Sequence, residues 1–411
     1  MNSIEEIVAH EFESTYETKY HSITALSTTK FFCMYEYIYG KTHYLRYAII
    51  TLDTDDYTIT SSVTAANSSN GTFYDMDSIY LNENSSYYYI VISYALGTGT
   101  ADVLHTHLLK IAISTGTITD IDSVIFSSAC GNVNGASLAK VTNNCVVLAY
   151  HYESTGRIAV FSINSTYTLL VDEEDDEHTN IGGDHNAIVA VRTVSTYVFR
   201  FLLAYYKSSG EGNLKVLDIS SSSYSITAID THVYTSTTNA YYPSLVHIND
   251  SNFGLVYNTS TTSGTLYRIP ITVNTAGTIA NGTRITTAYT SQRSSIIING
   301  TYILICYTGP SLDGYALLCN TSLTSIALLE FNTSNSTYPS LAPSVTDKFM
   351  LAHYGTDGEV VLFGEESFKI SIDDEWNRVR AGKISIGSAW KTIVAVKQSI
   401  GGTWEDVTLN E

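Results

Sequence analysis

The chain has 411 residues, and its 40 acidic and 21 basic side chains leave a formal net charge of −19. This surplus repels phosphate backbones and anionic headgroups, so we predict neither nucleic-acid binding nor membrane insertion. Charged residues are only 15% of the chain, and much of its polarity comes from Ser, Thr and 32 Tyr. Because Thr and Tyr favour strands while helix formers are scarce, the composition excludes a helical bundle and predicts an all-β fold.

The start of the chain, MNSIEEIVAHEF, is acidic and lacks a basic segment followed by an apolar one. We therefore expect no secretory signal. The five cysteines show no CxxC spacing, and Cys33, Cys145 and Cys306 lie in apolar runs. We predict buried structural thiols, and we expect no metal and no cofactor.

One pattern of three short apolar strands recurs seven times, most clearly as YPSLVHI–NFGLVY–TLYRIPI from Tyr242 and YPSLAPS–KFMLAHY–EVVLF from Tyr338. The tyrosine that closes the second strand recurs at intervals of 47 to 57 residues, at Tyr37, Tyr94, Tyr150, Tyr205, Tyr257, Tyr307 and Tyr354. Four strands and their turns fill about 50 residues, which is the size of a propeller blade. The repeat predicts a seven-bladed β-propeller over residues 1–364, with an open β-sandwich array as the competing architecture.

The seventh unit has no fourth strand after EVVLFG, whereas the N-terminal IEEIVAHEF aligns with the fourth strand of another unit. We predict that residues from about Ser3 to Glu17 form the outer strand of the last blade, beside Glu359–Phe363. Closing the ring in this way removes two exposed sheet edges.

Residues 365–411 carry a different repeat, of period 14, in FKISIDDEWNRV, GKISIGSAWKTI and VKQSIGGTWEDV. Each unit is typical of a small β-hairpin, and the chain's three tryptophans recur in it at Trp376, Trp390 and Trp404. Units this small do not bury an indole alone, so we predict that the three tryptophans dock onto a particle, a sister chain or the flank of the propeller. A self-sufficient stack of hairpins is the alternative.

The SL…FGLVY…LYRI layout resembles seven-bladed modules of bacterial and viral surface proteins. The units KISIGSAWK and SIGGTWEDV look like the Trp hairpins that end many tailed-virus fibre and virion proteins. This resemblance implies a virion surface protein, such as a fibre, tail or capsid component of a phage or archaeal virus, located on the virion or outside the cell. The implied partners are other virion proteins, further copies of the chain, and a host-surface glycan or protein receptor.

Enzymatic propellers place their chemistry at one mouth of the central channel. If the first strand of each unit is innermost, a polar ring forms there from His21, Asp77, Asp184, His185 and Arg293. Since the chain has neither an S-x-D-x-G-x-T-W box nor an arginine cluster, we predict a non-enzymatic structural protein with no catalytic residues. A glycan-active hydrolase or lectin on the propeller is the first alternative, and a cellular surface adhesin is the second.

Two further polar features are open to a functional interpretation. The acidic run 172–177 is predicted to be a solvated loop, with calcium binding as the alternative. The chain also contains possible N-glycosylation sites at Asn67, Asn70, Asn84, Asn164, Asn249, Asn258, Asn281, Asn299, Asn320, Asn332 and Asn335.

Overall fold

A computed structural model describes residues 4–364 except positions 15–16, 70, 98–101, 131–132, 154, 180–183, 208–209, 237, 263, 333–335 and 355–357. Beyond residue 364 it describes six short strands, over 369–372, 375–378, 382–386, 389–393, 397–400 and 403–406. The chain divides into two compact units, which consist essentially of Ile4–Gly364 and Glu365–Glu411. None of the described residues forms a helix long and apolar enough to cross a membrane.

The larger unit consists of antiparallel sheets, each built from consecutive strands. Blade 1 contains β2 (Thr18–Ala25), β3 (Lys30–Tyr39), β4 (Thr42–Leu52) and β5 (Ile59–Ser69). Blade 2 contains β6 (Thr72–Glu83), β7 (Tyr87–Gly97), β8 (Asp102–Ala112) and β9 (Ile118–Cys130). Blade 3 contains β10 (Val133–Thr142), β11 (Cys145–Tyr152), β12 (Thr155–Ile163) and β13 (Leu170–Thr179). Blade 4 contains β14 (Asp184–Ser195), β15 (Val198–Tyr206), β16 (Gly212–Ser220) and β17 (Ile226–Thr235).

The remaining blades depart slightly from this plan. In blade 5 the fourth strand is divided, giving β18 (Tyr241–Asn249), β19 (Asn252–Asn258), β20 (Gly264–Val273), β21 (Ile279–Asn281) and β22 (Ile285–Ser291). Blade 6 contains β23 (Ser294–Asn299), β24 (Tyr302–Thr308), the 3-10 turn Pro310–Leu312, β25 (Gly314–Asn320) and β26 (Ser325–Asn332). Blade 7 joins β27 (Thr337–Pro343), β28 (Phe349–Tyr354) and β29 (Gly358–Gly364) to β1 (Glu5–Glu13) from the N-terminus.

The seven blades form a closed ring. The first strand of each blade contacts the first strand of the next, and β27 of blade 7 contacts β2 of blade 1. Strand β1 runs antiparallel to β29, with Glu11 opposite Glu359 and Glu6 opposite Phe363. The sequence-based predictions of an all-β, seven-bladed propeller and of closure by the N-terminal strand are confirmed.

The hydrophobic core lies between neighbouring blades. Six clusters of buried side chains each join two adjacent blades, such as the cluster that packs Phe161 of blade 3 against Val91 of blade 2. The second strands are covered on both faces, which explains why runs such as CVVLAY are continuously apolar. Of the periodic tyrosines, six are at most 7% exposed, and Tyr354 is half-buried.

A β-bulge recurs near the start of the innermost strand in six blades. One extra residue on the inner strand interrupts the pairing, for example between Lys19 and Ser22 of β2. The bulge contains a residue with positive φ, namely Tyr20, Asp75, Gly135, His185, Tyr242 and Tyr338. A bulge changes the direction in which a side chain points. The side chain at this position is therefore redirected in the same way in each of these blades. Strand β23 of blade 6 pairs without such a break and follows Arg293 directly.

The bulge of blade 3 should not tolerate a side chain. Gly135 has a φ of +67°, and a Cβ there would lie 2.6 Å from the backbone of His185. We expect Gly135→Ala to lower the free energy of unfolding by about 2–5 kcal/mol, as left-handed strain and a backbone clash combine. Gly40→Ala is the matched control, since Gly40 has a φ of +64° with open space around it. Equal losses in denaturant titrations of the two variants would contradict the clash.

The smaller unit contains three two-stranded hairpins. They pair β30 (Lys369–Ile372) with β31 (Glu375–Arg378), β32 (Gly382–Ile386) with β33 (Ala389–Ile393), and β34 (Lys397–Ile400) with β35 (Thr403–Asp406). The register is the same in each, with Ser371 opposite Trp376, Ser385 opposite Trp390 and Ser399 opposite Trp404. The indole side chains, to which the docking prediction applies, lie outside the part of the chain whose side chains are described.

Candidate functional site at the channel mouth

A recess at one end of the channel is lined by two or three residues from each blade, of which one per blade occupies the equivalent position. These seven residues, here called the mouth ring, are Tyr20, Asp75, Gly135, His185, Tyr242, Arg293 and Tyr338. Six of them are the bulge residues with positive φ, and the seventh precedes β23. Non-glycine residues rarely adopt this conformation, and such backbone strain is concentrated at functional sites. The recess has a volume of about 230 Å³.

Three tyrosine rings of the mouth ring surround one cation. The guanidinium carbon of Arg293 lies 4.3 Å from the ring centres of both Tyr242 and Tyr338, and 5.8 Å from that of Tyr20. Its Nη2 donates to the Tyr242 hydroxyl over 3.3 Å. Tyr20 and Tyr338 also pack together, with ring centres 4.3 Å apart. We call this arrangement the arginine cage, and it places aromatic faces and a positive charge on one side of the recess.

A carboxylate and an imidazole lie in the same ring. The backbone N–H of Gly135 donates to Oδ2 of Asp75 over 2.8 Å, which ties blade 3 to blade 2. The ring centre of His185 lies 4.1 Å from that of Tyr242. Asp75 and His185 therefore flank the glycine position of blade 3, where no side chain enters the recess. Carboxylate and imidazole groups are the usual agents of proton transfer in enzymes.

Burial raises the pKa of two phenols of the mouth ring, those of Tyr20 and Tyr242. Burial and the neighbouring Tyr338 raise the pKa of Tyr20 above its ordinary value. Burial also raises the pKa of Tyr242, although Arg293 acts in the opposite direction. A phenol needs a lowered pKa to act as a nucleophile, so these side chains are suited to stacking and hydrogen bonding.

The five residues that the sequence placed at the mouth do not all lie in the mouth ring. His185 and Arg293 belong to the mouth ring, whereas the side chain of Asp184 lies outside the described part. Asp77 sits two positions beyond the bulge and accepts from the backbone N–H groups of Leu138 (2.7 Å) and Ser78 (2.8 Å). Burial raises the pKa of Asp77 to about 6, although these hydrogen bonds oppose the shift. Asp77 thus joins blades 2 and 3, much as Ser137 and Ser340 accept a backbone N–H from the following blade.

His21 borders the recess, but its ring is buried between Phe12 and Tyr35. Burial, with a smaller effect of His353, lowers the pKa of His21 to about 3. The unfolded-state pKa is higher, roughly 6.5. The stability that depends on neutral His21 is therefore complete above about pH 6.5 and is lost as the pH falls towards 3.

We expect His21→Gln to weaken the loss of stability in acid. Between pH 7 and pH 4.5, the melting temperature of the variant should fall less than that of the wild-type protein, because glutamine takes up no proton. His10→Gln is the control, because burial lowers the pKa of His10 in the same direction but His10 is only half-buried, whereas His21 is buried. An unchanged acid response of His21→Gln would show that this histidine is not the group that titrates.

Sequence reasoning missed Tyr20, Asp75, Tyr242 and Tyr338. The signal was present in the repeat, because each lies two positions before the residue that opens the paired inner strand, as in Y-H-S, D-M-D and Y-P-S. The extra residue of the bulge changes which position faces the channel. A repeat alignment alone does not reveal that change.

The predicted glycosylation sites fall into different environments. Asn84 and Asn164 are exposed directly after a strand, Asn249 and Asn320 are exposed as the last residues of β18 and β25, and Asn281 and Asn332 are half-buried. Asn258 is completely buried, and the Asn299 amide donates to the carbonyl oxygens of Ser344, Val345 and Lys348. The Asn258 side chain is thus enclosed by the protein, and the Asn299 amide is engaged in hydrogen bonds within it. The side chains of Asn67, Asn70 and Asn335 lie outside the described part.

The acidic run 172–177 lies on strand β13 rather than in a loop, so the predicted loop is wrong. Pairing with β12 places Asp172 opposite Phe161 and Glu177 opposite Arg157, and tertiary pairing has overridden the local charge pattern. Among the described residues, no group of three or more His, Cys, Asp or Glu side chains is arranged to hold a metal ion.

The ring of blades and its lined mouth define the chain as a seven-bladed β-propeller. No protein family and no curated protein matches the sequence. A protein of unknown function from Dyadobacter fermentans has a similar solved structure, with a TM-score of 0.51 and 8% identity, over 88% of this chain and 99% of that one. The NanB sialidase of Streptococcus pneumoniae has a TM-score of 0.46 and 12% identity, over 86% of this chain and 70% of that one. A putative 6-phosphogluconolactonase of Bacteroides fragilis has a TM-score of 0.47 and 13% identity, over 78% and 97%.

These similarities concern the fold alone. Propellers of enzymes, including a sialidase, are among the similar structures. The prediction of a non-enzymatic protein does not stand, because a propeller can carry catalytic as well as binding residues. The absence of an S-x-D-x-G-x-T-W box and of an arginine cluster does not exclude catalysis on such a fold, since function depends on the residues of the site.

Proposed function

We propose that the protein is a glycan-active hydrolase whose substrate binds in the mouth ring. The observation that carries this proposal is that aromatic rings, a carboxylate and an imidazole from different blades line the same mouth of the channel. Backbone strain at the five non-glycine bulge positions supports a functional role, because regular pairing would have avoided its cost.

The half-buried rings of Tyr20 and Tyr338 would stack against a sugar ring, and their hydroxyls would donate or accept hydrogen bonds. A volume of about 230 Å³ is below the roughly 300–1,000 Å³ of sites for drug-sized ligands, which suits one sugar unit at the end of a chain. Asp75 and His185 would transfer the proton that glycosidic cleavage requires. The test is release of reducing sugar from a panel of cell-surface oligosaccharides, measured with the wild-type protein and with Asp75→Asn.

A sugar-binding propeller without turnover is the second candidate. The specific observation in its favour is that Asp75 is the only acidic residue of the mouth ring, whereas most glycosidases use two carboxyl groups. In this case the same oligosaccharides would bind but would not be cleaved.

The setting of this activity is also a proposal. The Trp-hairpin resemblance supports a place on the surface of a virus particle, where the propeller would meet glycans of the host and residues 365–411 would dock onto virion proteins or further copies of the chain. Truncation after Gly364 should then leave glycan binding intact and reduce the amount of protein on purified particles.

A further inference from the structure

Arg293 has no acidic partner among the residues that the structure describes. Among the described residues, no ion pair involves its guanidinium, and its polar contact is the hydrogen bond to the Tyr242 hydroxyl. By contrast, the buried Arg200 forms two hydrogen bonds of 2.7 and 2.8 Å with the Asp218 carboxylate. A guanidinium offers five N–H donors, so most of those on Arg293 have no partner in the described part of the chain.

The cage around Arg293 strengthens its attraction for an anion. Three aromatic rings displace water from the guanidinium, and a charge in such surroundings is screened less than one in bulk water. Among the described residues that line the recess, Arg293 is the only Lys or Arg. A single guanidinium pairs with a single anionic group, which favours a ligand that carries one negative charge.

We propose that the mouth ring selects a sugar that carries a carboxylate, with Arg293 binding the carboxylate while Tyr20 and Tyr338 pack on the sugar ring. This inference rests on the proposed function and specifies its substrate class. The planar guanidinium fork matches a carboxylate through two parallel hydrogen bonds. A dianionic phosphate is disfavoured by the nearby Asp75 and by the net charge of −19.

The experiment compares matched sugars on the full-length protein. Oligosaccharides that end in glucuronate or galacturonate are titrated by calorimetry beside those that end in glucose or galactose, and beside a 6-sulfated glucose end. We expect the carboxylated member of each pair to bind roughly tenfold or more tightly than the neutral one, in line with a charge-assisted hydrogen bond.

Two variants assign the preference to Arg293. Arg293→Gln should remove the advantage of the carboxylated sugars, so that both members of each pair bind equally, and its melting temperature shows that the variant is folded. Arg293→Lys keeps the charge without the fork and should retain part of the preference. Arg284→Gln is the matched control, because Arg284 also stacks on a tyrosine, 4.3 Å from the Tyr267 ring, but lies outside the mouth ring.

The possible results distinguish failure of this inference from failure of the proposed glycan-active function. Equal binding of neutral and carboxylated sugars, or an undiminished preference in Arg293→Gln, overturns the inference and leaves the glycan-active mouth standing. Tighter binding of the sulfated sugar overturns the choice of carboxylate. If no sugar of any kind binds, both the proposed function and the inference fail.

Discussion

Removal of the N-terminal residues up to Ser14 should lower the melting temperature of the propeller by roughly 10 °C or more. Strand β1 supplies the outer strand of blade 7 and buries Ile4 and Phe12, which are 7% and 6% exposed. Burial of each such side chain contributes about 1.5–3 kcal/mol, from a total stability of about 5–15 kcal/mol. The truncated ring would also expose the edge of β29, which invites edge-to-edge aggregation.

The control for this deletion is truncation after Gly364, which removes the smaller unit and leaves every strand of the ring in place. A peptide of residues 4–14 added to the N-terminally truncated protein should restore part of the melting temperature, because the β29 edge and the Phe12 pocket are still formed by the rest of the chain. Melting curves that do not differ between the full-length and N-terminally truncated proteins would show that ring closure contributes little to stability.

Asp75→Asn should reduce the turnover of a cleaved oligosaccharide by roughly 10²–10⁴-fold, the usual contribution of a positioned acid or base. Asparagine is nearly isosteric with aspartate and keeps an oxygen that can accept from the Gly135 N–H, so the bulge of blade 2 should persist. The loss should therefore appear in kcat, with a smaller change in KM. The measurement is steady-state kinetics of reducing-sugar release.

Asp53→Asn is the matched control for Asp75→Asn. Asp53 accepts from the backbone N–H of Asp55 in an exposed turn, which an asparagine also does, and it lies outside the mouth ring. Full activity of Asp75→Asn would remove Asp75 from the chemistry and point to His185 instead. Binding of the oligosaccharide without cleavage by the wild-type protein would favour the sugar-binding candidate.

The repeat made the blades predictable. Each second strand is buried on both faces, so apolar runs closed by residues such as Tyr150 and Tyr257 mark every blade in the sequence. The last unit lacks a fourth strand of its own. This gap pointed to β1, because the N-terminal segment can supply the missing strand and so complete the ring. The acidic run of β13 was missed, since its strand conformation comes from pairing with β12 rather than from its own composition.

The position of the candidate site along the channel was predictable from the sequence, whereas only some of its residues were. Sequence reasoning placed the site at the start of the inner strands and included His185 and Arg293. It also chose Asp77, whose carboxylate instead joins two blades through backbone N–H groups. Tyr20 and Tyr338 escaped notice because tyrosine is common in the strands of this chain, and nothing local separates a channel-facing ring from a packing one.

The sequence by itself determined the number of blades, their order and the strand that closes the ring, because these depend on a periodic hydrophobic pattern that is read along the chain. Only the tertiary structure decided which side chain of each blade faces the channel. One extra residue in an inner strand turns the next side chain out of the ladder, and closure of the ring then brings Arg293 within 4.3 Å of two tyrosines from neighbouring blades.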